Sequence, residues 1–440
     1  MARPAAPSAV RGIARTLEEA GHETWAVGGA VRDVLLGRPS GDWDLATRAR
    51  PKEVRRLFRR TVPIGIEHGT VGVLAKDGTL YEVTTFRRDV ETDGRHAVVS
   101  FADTIEEDLG RRDFTINAVA WHPLREELLD PFGGVADLEA RTLRTVGSPQ
   151  KRFREDYLRI LRALRFAGLF GLAIDETTWA ALRDLVENLR VLSAERIRDE
   201  LVKVLDSDPV PQRALDLYAR SGALRVLYPE LDSLRGGTPT GPASGGSTPN
   251  GHAPGPWELS VETVAELPCG RPMLRVAALV RELPREAAAA MLLRLRFSNA
   301  AIDEAAHRAG AAPLPPPGAD ERTFRRWLSA CGPERLAGLA RLDLARAKAE
   351  RRLGVRSDVD AVVASWRTAK GVRAARPPLA LADLALDGRG LIALGLRPGP
   401  HFGRILDALL EWVLDDPARN RADVLGARAL TLASGETTGG

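Results

Sequence analysis

The sequence predicts an α+β fold, a mixed head over residues 1–122 with an all-helical array behind it. Two patterns carry this expectation. Up to residue 86 the apolar residues switch between helical and strand spacing, and after Pro131 they repeat almost without exception at the helical period. Residues 9–20 read as an amphipathic helix, 22–27 as a short strand, and 28–36 as a turn into a helix. Residues 42–46 read as a strand and 51–60 as a helix, while 69–75 and 79–86 are strands joined by the Lys76-Asp77-Gly78 turn. Helices are expected at 152–169, 176–189, 193–205 and 211–221. The Gly, Pro, Ser and Thr tract at 235–256 has too little apolar surface to order itself and reads as a linker or disordered insert. A second Pro-rich stretch, 311–317, separates later helices.

Composition narrows the class without naming it. A chain of 440 residues can form several domains without disulfides or structural metals. Its two cysteines, Cys269 and Cys331, lie far apart and outside any zinc-ligand spacing, so a reducing, cytoplasmic compartment is the simplest expectation. No apolar run approaches the roughly 20 residues that span a bilayer, and the first residues lack a signal-peptide core. No membrane association is therefore expected. The formal charge of +4 is spread among many acids, so net charge alone does not point to nucleic acid.

The chemistry concentrates in the head. Gly28-Gly29-Ala30-Val31-Arg32-Asp33 is followed at a short interval by Gly41-Asp42-Trp43-Asp44. Residues two apart on a strand share a face, so Asp42 and Asp44 would present two carboxylates side by side. Such a pair is costly without a cation, and Mg²⁺, which prefers a few carboxylates together with substrate phosphates, meets the need. Gly28 and Gly29 let the backbone approach a phosphate, and Arg32 adds a charge-assisted contact. Taken singly, the glycines read more readily as a tight turn and Asp-x-Asp as an exposed strand edge; their order and spacing together favour the site. Glu82 is a candidate third carboxylate, with a solvated strand glutamate as the rival reading. In Arg111-Arg112-Asp113-Phe114-Thr115-Ile116-Asn117, the side chains of Arg112, Asp113 and Asn117 suit phosphate and ribose hydroxyls.

These segments together resemble the class II tRNA nucleotidyltransferases, the CCA-adding enzymes of the polymerase β superfamily, and the related bacterial poly(A) polymerases. VGGAVRD with GDWDLAT is similar to the metal motif, RRDFTINAVA to the ribose motif, and DPFGGVADLEARTLRTVG to the connector. RFREDYLRILRALRF is similar to the nucleotide-selecting motif and AERIRDEL to the last motif of the neck. The resemblance implies a polymerase β-like catalytic head (1–122) and a neck that selects the nucleotide (123–206). A body (207–310) and a tRNA-binding tail (311–434) would follow. It implies Mg²⁺ at Asp42 and Asp44 with Glu82 beside them, triphosphate contacts at Gly29 and Arg32, and Arg112 and Asp113 at the sugar and phosphates. ATP, CTP and the 3′ end and acceptor arm of tRNA are the implied partners, and no protein partner is inferred.

Base choice has a physical reading. On a helix over 152–169, Asp156 and Arg159 would neighbour each other at i, i+3. Cytosine and adenine each pair an exocyclic amine, which a carboxylate accepts, with an unprotonated ring nitrogen, which an arginine satisfies. Uracil and guanine invert both. Arg162 and Arg165 continue the stripe and could reach the triphosphate, whereas a solvated charge ladder is the rival reading. Glu195, Arg196 and Glu200 are expected to hold this face in place by ion pairs.

Two segments depart from the family pattern. The stretch between Phe86 and Phe101, with Arg95 and His96, corresponds to a flexible loop that is a little short here and carries Ala97 at a customary proline, which leaves a CC-adding or A-adding specialist open. The region around 252–284 is similar to a worn HD hydrolase module, with Arg281-Glu282 at the decisive place and Ala253 after His252, so a structural body without hydrolase activity is expected. The nearest rival is a poly(A) polymerase, although residues 63–73 look like the CCA-adding version. A non-catalytic RNA-binding protein is the rival of another class, disfavoured because clustered carboxylates repel RNA.

Overall fold

The computed structural model describes residues 5–92, 97–236 and 254–436. Its contacts divide the chain into two compact units, Met1–Pro229 and Glu230–Gly440. The first opens with α1 (Ser8–Glu19), which buries Val10, Ile13, Ala14 and Leu17 at helical spacing. It continues through β1 (Thr24–Val27), α2 (Gly29–Leu35), β2 (Asp44–Thr47), α3 (Pro51–Leu57), β3 (Thr61–Gly65), β4 (Thr70–Leu74) and β5 (Leu80–Thr85). A ribbon of β6 (Arg87–Thr92) and β7 (Ala97–Phe101), then α4 (Ile105–Gly110), β8 (Ala120–His122) and β9 (Glu127–Leu129), completes the head.

Seven strands form one sheet in the order β3-β4-β5-β2-β1-β8-β9. β2 pairs with β5 in parallel, Leu45 opposite Val83, whereas the other pairings in that sheet are antiparallel. One step before Leu45 and Val83 stand Asp44 and Glu82, so this single crossover carries two carboxylates of distant sequence to one place. Trp25, Val27, Ala46 and Phe86 pack with Ala102, Ile105 and Leu109 into the core beneath.

Several boundaries differ from the sequence expectation. β2 starts at Asp44, so Asp42 precedes the strand; Trp43 between them is buried, its indole donating to the Ser40 carbonyl at 3.3 Å. The charged stretch after Phe86 pairs as a ribbon, and the residues at its tip, Arg95 and His96 included, lie outside the described residues. The helix expected over 152–169 is two helices, α6 (Pro149–Glu155) and α7 (Leu158–Phe170), introduced by α5 (Gly134–Glu139) and β10 (Thr142–Leu143). The break falls at Asp156, whose backbone is extended and whose Oδ1 accepts the Leu158 N–H at 3.0 Å. A local side-chain acceptor competes with continuing the helix. The unit ends with β11 (Ala173–Ile174), which pairs with β10, then α8 (Glu176–Leu185), α9 (Ala194–Ser207), α10 (Pro211–Ser221) and α11 (Ala223–Leu227).

After α12 (Pro229–Asp232) the second unit is helical: α13 (Pro256–Ala265), α14 (Pro272–Leu279), α15 (Arg285–Arg294), α16 (Asn299–Gly310), α17 (Glu321–Cys331), α18 (Leu336–Arg352), α19 (Val359–Ala374), α20 (Gly388–Ala393), α21 (His401–Asp415) and α22 (Ala422–Glu436). Phe324, Trp327, Leu328, Leu336 and Leu339 centre one of its cores, and Leu391, Ile405, Leu409, Val413 and Leu425 another. The stretch 311–317 separates α16 from α17, as its prolines require. All but the ends of the 235–256 tract lies outside the described residues. Among the described residues no helix is long and apolar enough to cross a membrane.

Candidate active site in the head

A cavity of about 510 Å³ opens over the ends of β1, β2 and β5. Gly28, Gly29, Arg32, Asp44, Glu82, Arg112, Asp113, Asn117, Asp156, Arg159 and Arg162 line it. Of the candidate residues, Asp42 and Arg165 do not. Asp42 is exposed just before β2, close enough to act on Asp44 electrostatically. Arg165 is buried, its Nε 2.7 Å from Oε2 of Glu200.

Asp44 is the electrostatic focus. Its carboxyl is pushed up to about 6, first by burial and then by the neighbouring charges of Asp42 and Glu82, with Arg112 pulling it back. Two acids thus act on Asp44, with Arg112 as the counterweight. Such a group of oxygen donors fits a hard divalent cation, which would supply the missing positive charge. Among the described residues no three His, Cys, Asp or Glu side chains form a complete metal cage. A cation that takes one or two carboxylates and completes its shell with substrate phosphates needs none.

Gly28 at the end of β1 has φ 75° and ψ −133°, a conformation natural to glycine. A Cβ there would lie 3.1 Å from Nη1 of Arg112 and 4.0 Å from Oδ2 of Asp44, so any side chain would intrude between the acid and the arginine. Arg112 is held from the other side by Asp108, Nη2 to Oδ2 at 3.0 Å, while its Nε has no partner among the described residues. Arg32 is buried, donating to Oδ1 of Asn117 at 2.7 Å and pairing with Asp33 at 2.8 Å, its guanidinium 4.4 Å above the Phe170 ring. Asn117 donates on to Oδ1 of Asp113 at 2.9 Å, and Oδ2 of Asp113 meets Nε of Arg162 at 2.7 Å. Head and α7 are thus tied together by one polar chain.

Although burial opposes its charge, the Asp113 carboxyl is held down at about 2 by Arg162 and by hydrogen bonds from Asn117 and the Phe114 amide. A lowered folded-state value means stability that is present above about pH 4 and lost as pH falls through 2, roughly 2 kcal/mol in all. Acid unfolding of Asp113→Asn, followed by circular dichroism, is expected to lose that part of the slope; an unchanged profile would show the charge to be idle.

The two base-choosing candidates reach the cavity by a different route from a shared helix face. Asp156 lies in the break before α7, its Oδ2 2.7 Å from Nη2 of Arg196 on α9. Arg159, in the first turn of α7, places Nη1 2.6 Å from Oε2 of Glu155, the oxygen that also takes Arg152 at 2.9 Å. From α9, Arg196 pairs with Asp156 just before α7 and Glu200 pairs with Arg165 within it. Sequence reasoning passed over Asp108, a buried cavity-lining acid that grips both Arg111 and Arg112. Its signal was available in the i, i+3 and i, i+4 spacing to those arginines.

Family models match two segments of the chain. The Poly A polymerase head domain matches residues 24–144, and the probable RNA and SrmB-binding site of polymerase A matches residues 171–235. The CCA-adding enzyme of Geobacillus kaustophilus is 46% identical over 218 residues, 49% of this chain and 53% of that protein. The CCA-adding enzyme of Levilactobacillus brevis is 47% identical over 211 residues, 47% of this chain and 52% of its own length. The chain thus spans about half the length of the curated relatives it matches. The crystal structure of the Bacillus stearothermophilus CCA-adding enzyme in complex with CTP is similar with a TM-score of 0.72 and 29% identity, covering 97% of both chains. The Thermotoga maritima CCA-adding enzyme complexed with tRNA shares the fold, with a TM-score of 0.54 at 22% identity. The resemblance of the motifs to the CCA-adding and poly(A) polymerase family is borne out, as is the α+β head followed by helices.

Proposed function

We propose that this chain is a template-independent nucleotidyltransferase that adds C and A to the 3′ end of tRNA, using CTP, ATP and Mg²⁺. The observation that carries the reading is the crowding of Asp44 by Asp42 and Glu82 at a cavity that also holds a glycine turn and arginines. A pure RNA binder has no use for clustered carboxylates, which repel phosphate. Likeness to enzymes bound to CTP and to tRNA supports the substrates, and a tRNA substrate goes with a cytoplasmic compartment.

Asp42 and Asp44 would hold the ion, with Glu82 beside them. Bound there, magnesium supplies charge for an attacking hydroxyl and for the departing phosphate. Gly28 keeps the approach clear of side chains, and the unpartnered Nε of Arg112 has a hydrogen bond to give. Asp113 and Asn117 brace Arg162 and Arg32 so that these cations face the cavity without swinging. Arg165 supports α7 through Glu200. We assign residues 1–122 to the head, 123–206 to the neck, 207–310 to the body and 311–434 to the tail.

Asp156 and Arg159 read the base edge, a carboxylate for the exocyclic amine and a guanidinium for the ring nitrogen. Arg196 and Glu155 orient them. Each wrong base leaves a polar group unpaired, at about 1 to 3 kcal/mol. Asp156→Ala is therefore expected to raise UTP or GTP use relative to CTP and ATP by roughly five- to a hundredfold, measured as kcat/KM ratios. Unchanged ratios would remove Asp156 from base selection.

Extension of tRNAs that lack CCA, end in CC, or carry complete CCA, with each nucleoside triphosphate separately, tests the whole reading. C then A addition that stops after CCA is the expected result. A long A tail on any RNA would show a poly(A) polymerase, C or A alone a specialist, and no incorporation a binder.

A further inference from the structure

The second unit contains a cavity of about 740 Å³ that shares no lining residue with the candidate active site. Its volume falls within the range of small-molecule sites. Residues 281–284 after α14, the proline-rich 311–317, and parts of α18 and α19 line it. Five charged side chains converge on the lining: Arg281, Glu282, Asp343, Arg346 and Glu350.

The charges there are unevenly balanced. Arg281 pairs with Asp343 and donates to the Arg308 carbonyl at 3.0 Å, and the second Asp343 oxygen takes the Leu314 amide at 2.8 Å. Arg346 is shared by Glu282 and, at 3.1 Å, by Glu350. Three carboxylates therefore face two guanidiniums. Glu282 is buried, yet only its Oε1 has a partner among the described residues. In keeping with this shortfall, burial pushes the Glu282 and Asp343 carboxyls above the usual range despite the arginines beside them.

Phosphate is a poor occupant of such a lining, because each arginine is already committed to carboxylates. A metal ion is equally poor, since guanidiniums interleave the acids and no histidine or cysteine joins them. A cation with N–H donors and an apolar body meets both needs, with the donors on Glu282 and the body against proline and alanine. We propose that this cavity binds a small organic cation, an amine or guanidinium on an aliphatic chain, held by Glu282 and Glu350.

The test is equilibrium dialysis of the full chain with radiolabelled spermidine and agmatine, with inorganic phosphate as competitor. Saturable one-to-one binding of at least one cation, insensitive to phosphate, is expected. Glu282→Gln keeps the volume and is expected to weaken binding at least about tenfold. Ala361→Trp, which narrows the cavity without removing a charge, is expected to abolish binding while helicity by circular dichroism is retained. No saturable binding to the parent chain, binding unaltered in both folded variants, or displacement by phosphate would each overturn the proposal.

Discussion

Asp42→Ala and Asp44→Ala are each expected to reduce nucleotide incorporation at least about a thousandfold while tRNA binding stays near its original level. The size follows from the metal-holding role proposed for the carboxylates, because a catalytic divalent ion contributes several kcal/mol and each 1.4 kcal/mol is tenfold in rate. Binding survives because removing a negative charge from an RNA-facing surface does not weaken attraction for phosphate. Single-nucleotide incorporation beside a filter-binding titration separates the two effects. Rates within tenfold of the parent in either variant would defeat the assignment of the metal site. Asp42 is the sharper test, since it lies outside the lining of the cavity and outside β2, and its role rests on its charge acting beside Asp44.

Glu200→Ala is expected to destabilise the first unit by about 3 to 5 kcal/mol, the cost of leaving a buried charge without its partner. Glu200 is fully buried on α9 and receives Nε of Arg165 at 2.7 Å and Nζ of Lys203 at 2.9 Å. Lys203 is half exposed and can turn to water; Arg165 is enclosed and cannot. Urea titration monitored by circular dichroism gives the measurement. Replacing Glu200 and Arg165 together by leucine and methionine is expected to recover most of the loss, since paired removal leaves no orphan. A loss under 1 kcal/mol for Glu200→Ala would show that water or another group already serves Arg165.

The residues that announced the site were those whose chemistry is local. Gly28 and Gly29 beside Asp42 and Asp44 form a signal within one short segment, and the action of Asp42 on Asp44 follows from it. Glu82 was a guess until β2 was found in register with β5, because no spacing in the sequence encodes which strands become neighbours. The helix over 152–169 was read as continuous because its apolar period runs on through Asp156. The interruption comes from one carboxylate taking an amide two residues ahead, a competition that periodicity does not register. The β6–β7 ribbon was missed for the opposite reason, its charged residues offering no clean alternation to read. Asp108 was hidden among the acids of α4, where a solvated face was the ordinary expectation.

The parallel seam between β2 and β5 has a consequence for biosynthesis. Thirty-odd residues of chain must be made and threaded back before the acids on its two sides become neighbours, and closing so long a loop is slow relative to forming local turns. A growing polypeptide released before β5 emerges therefore carries Asp42 and Asp44 without Glu82 beside them.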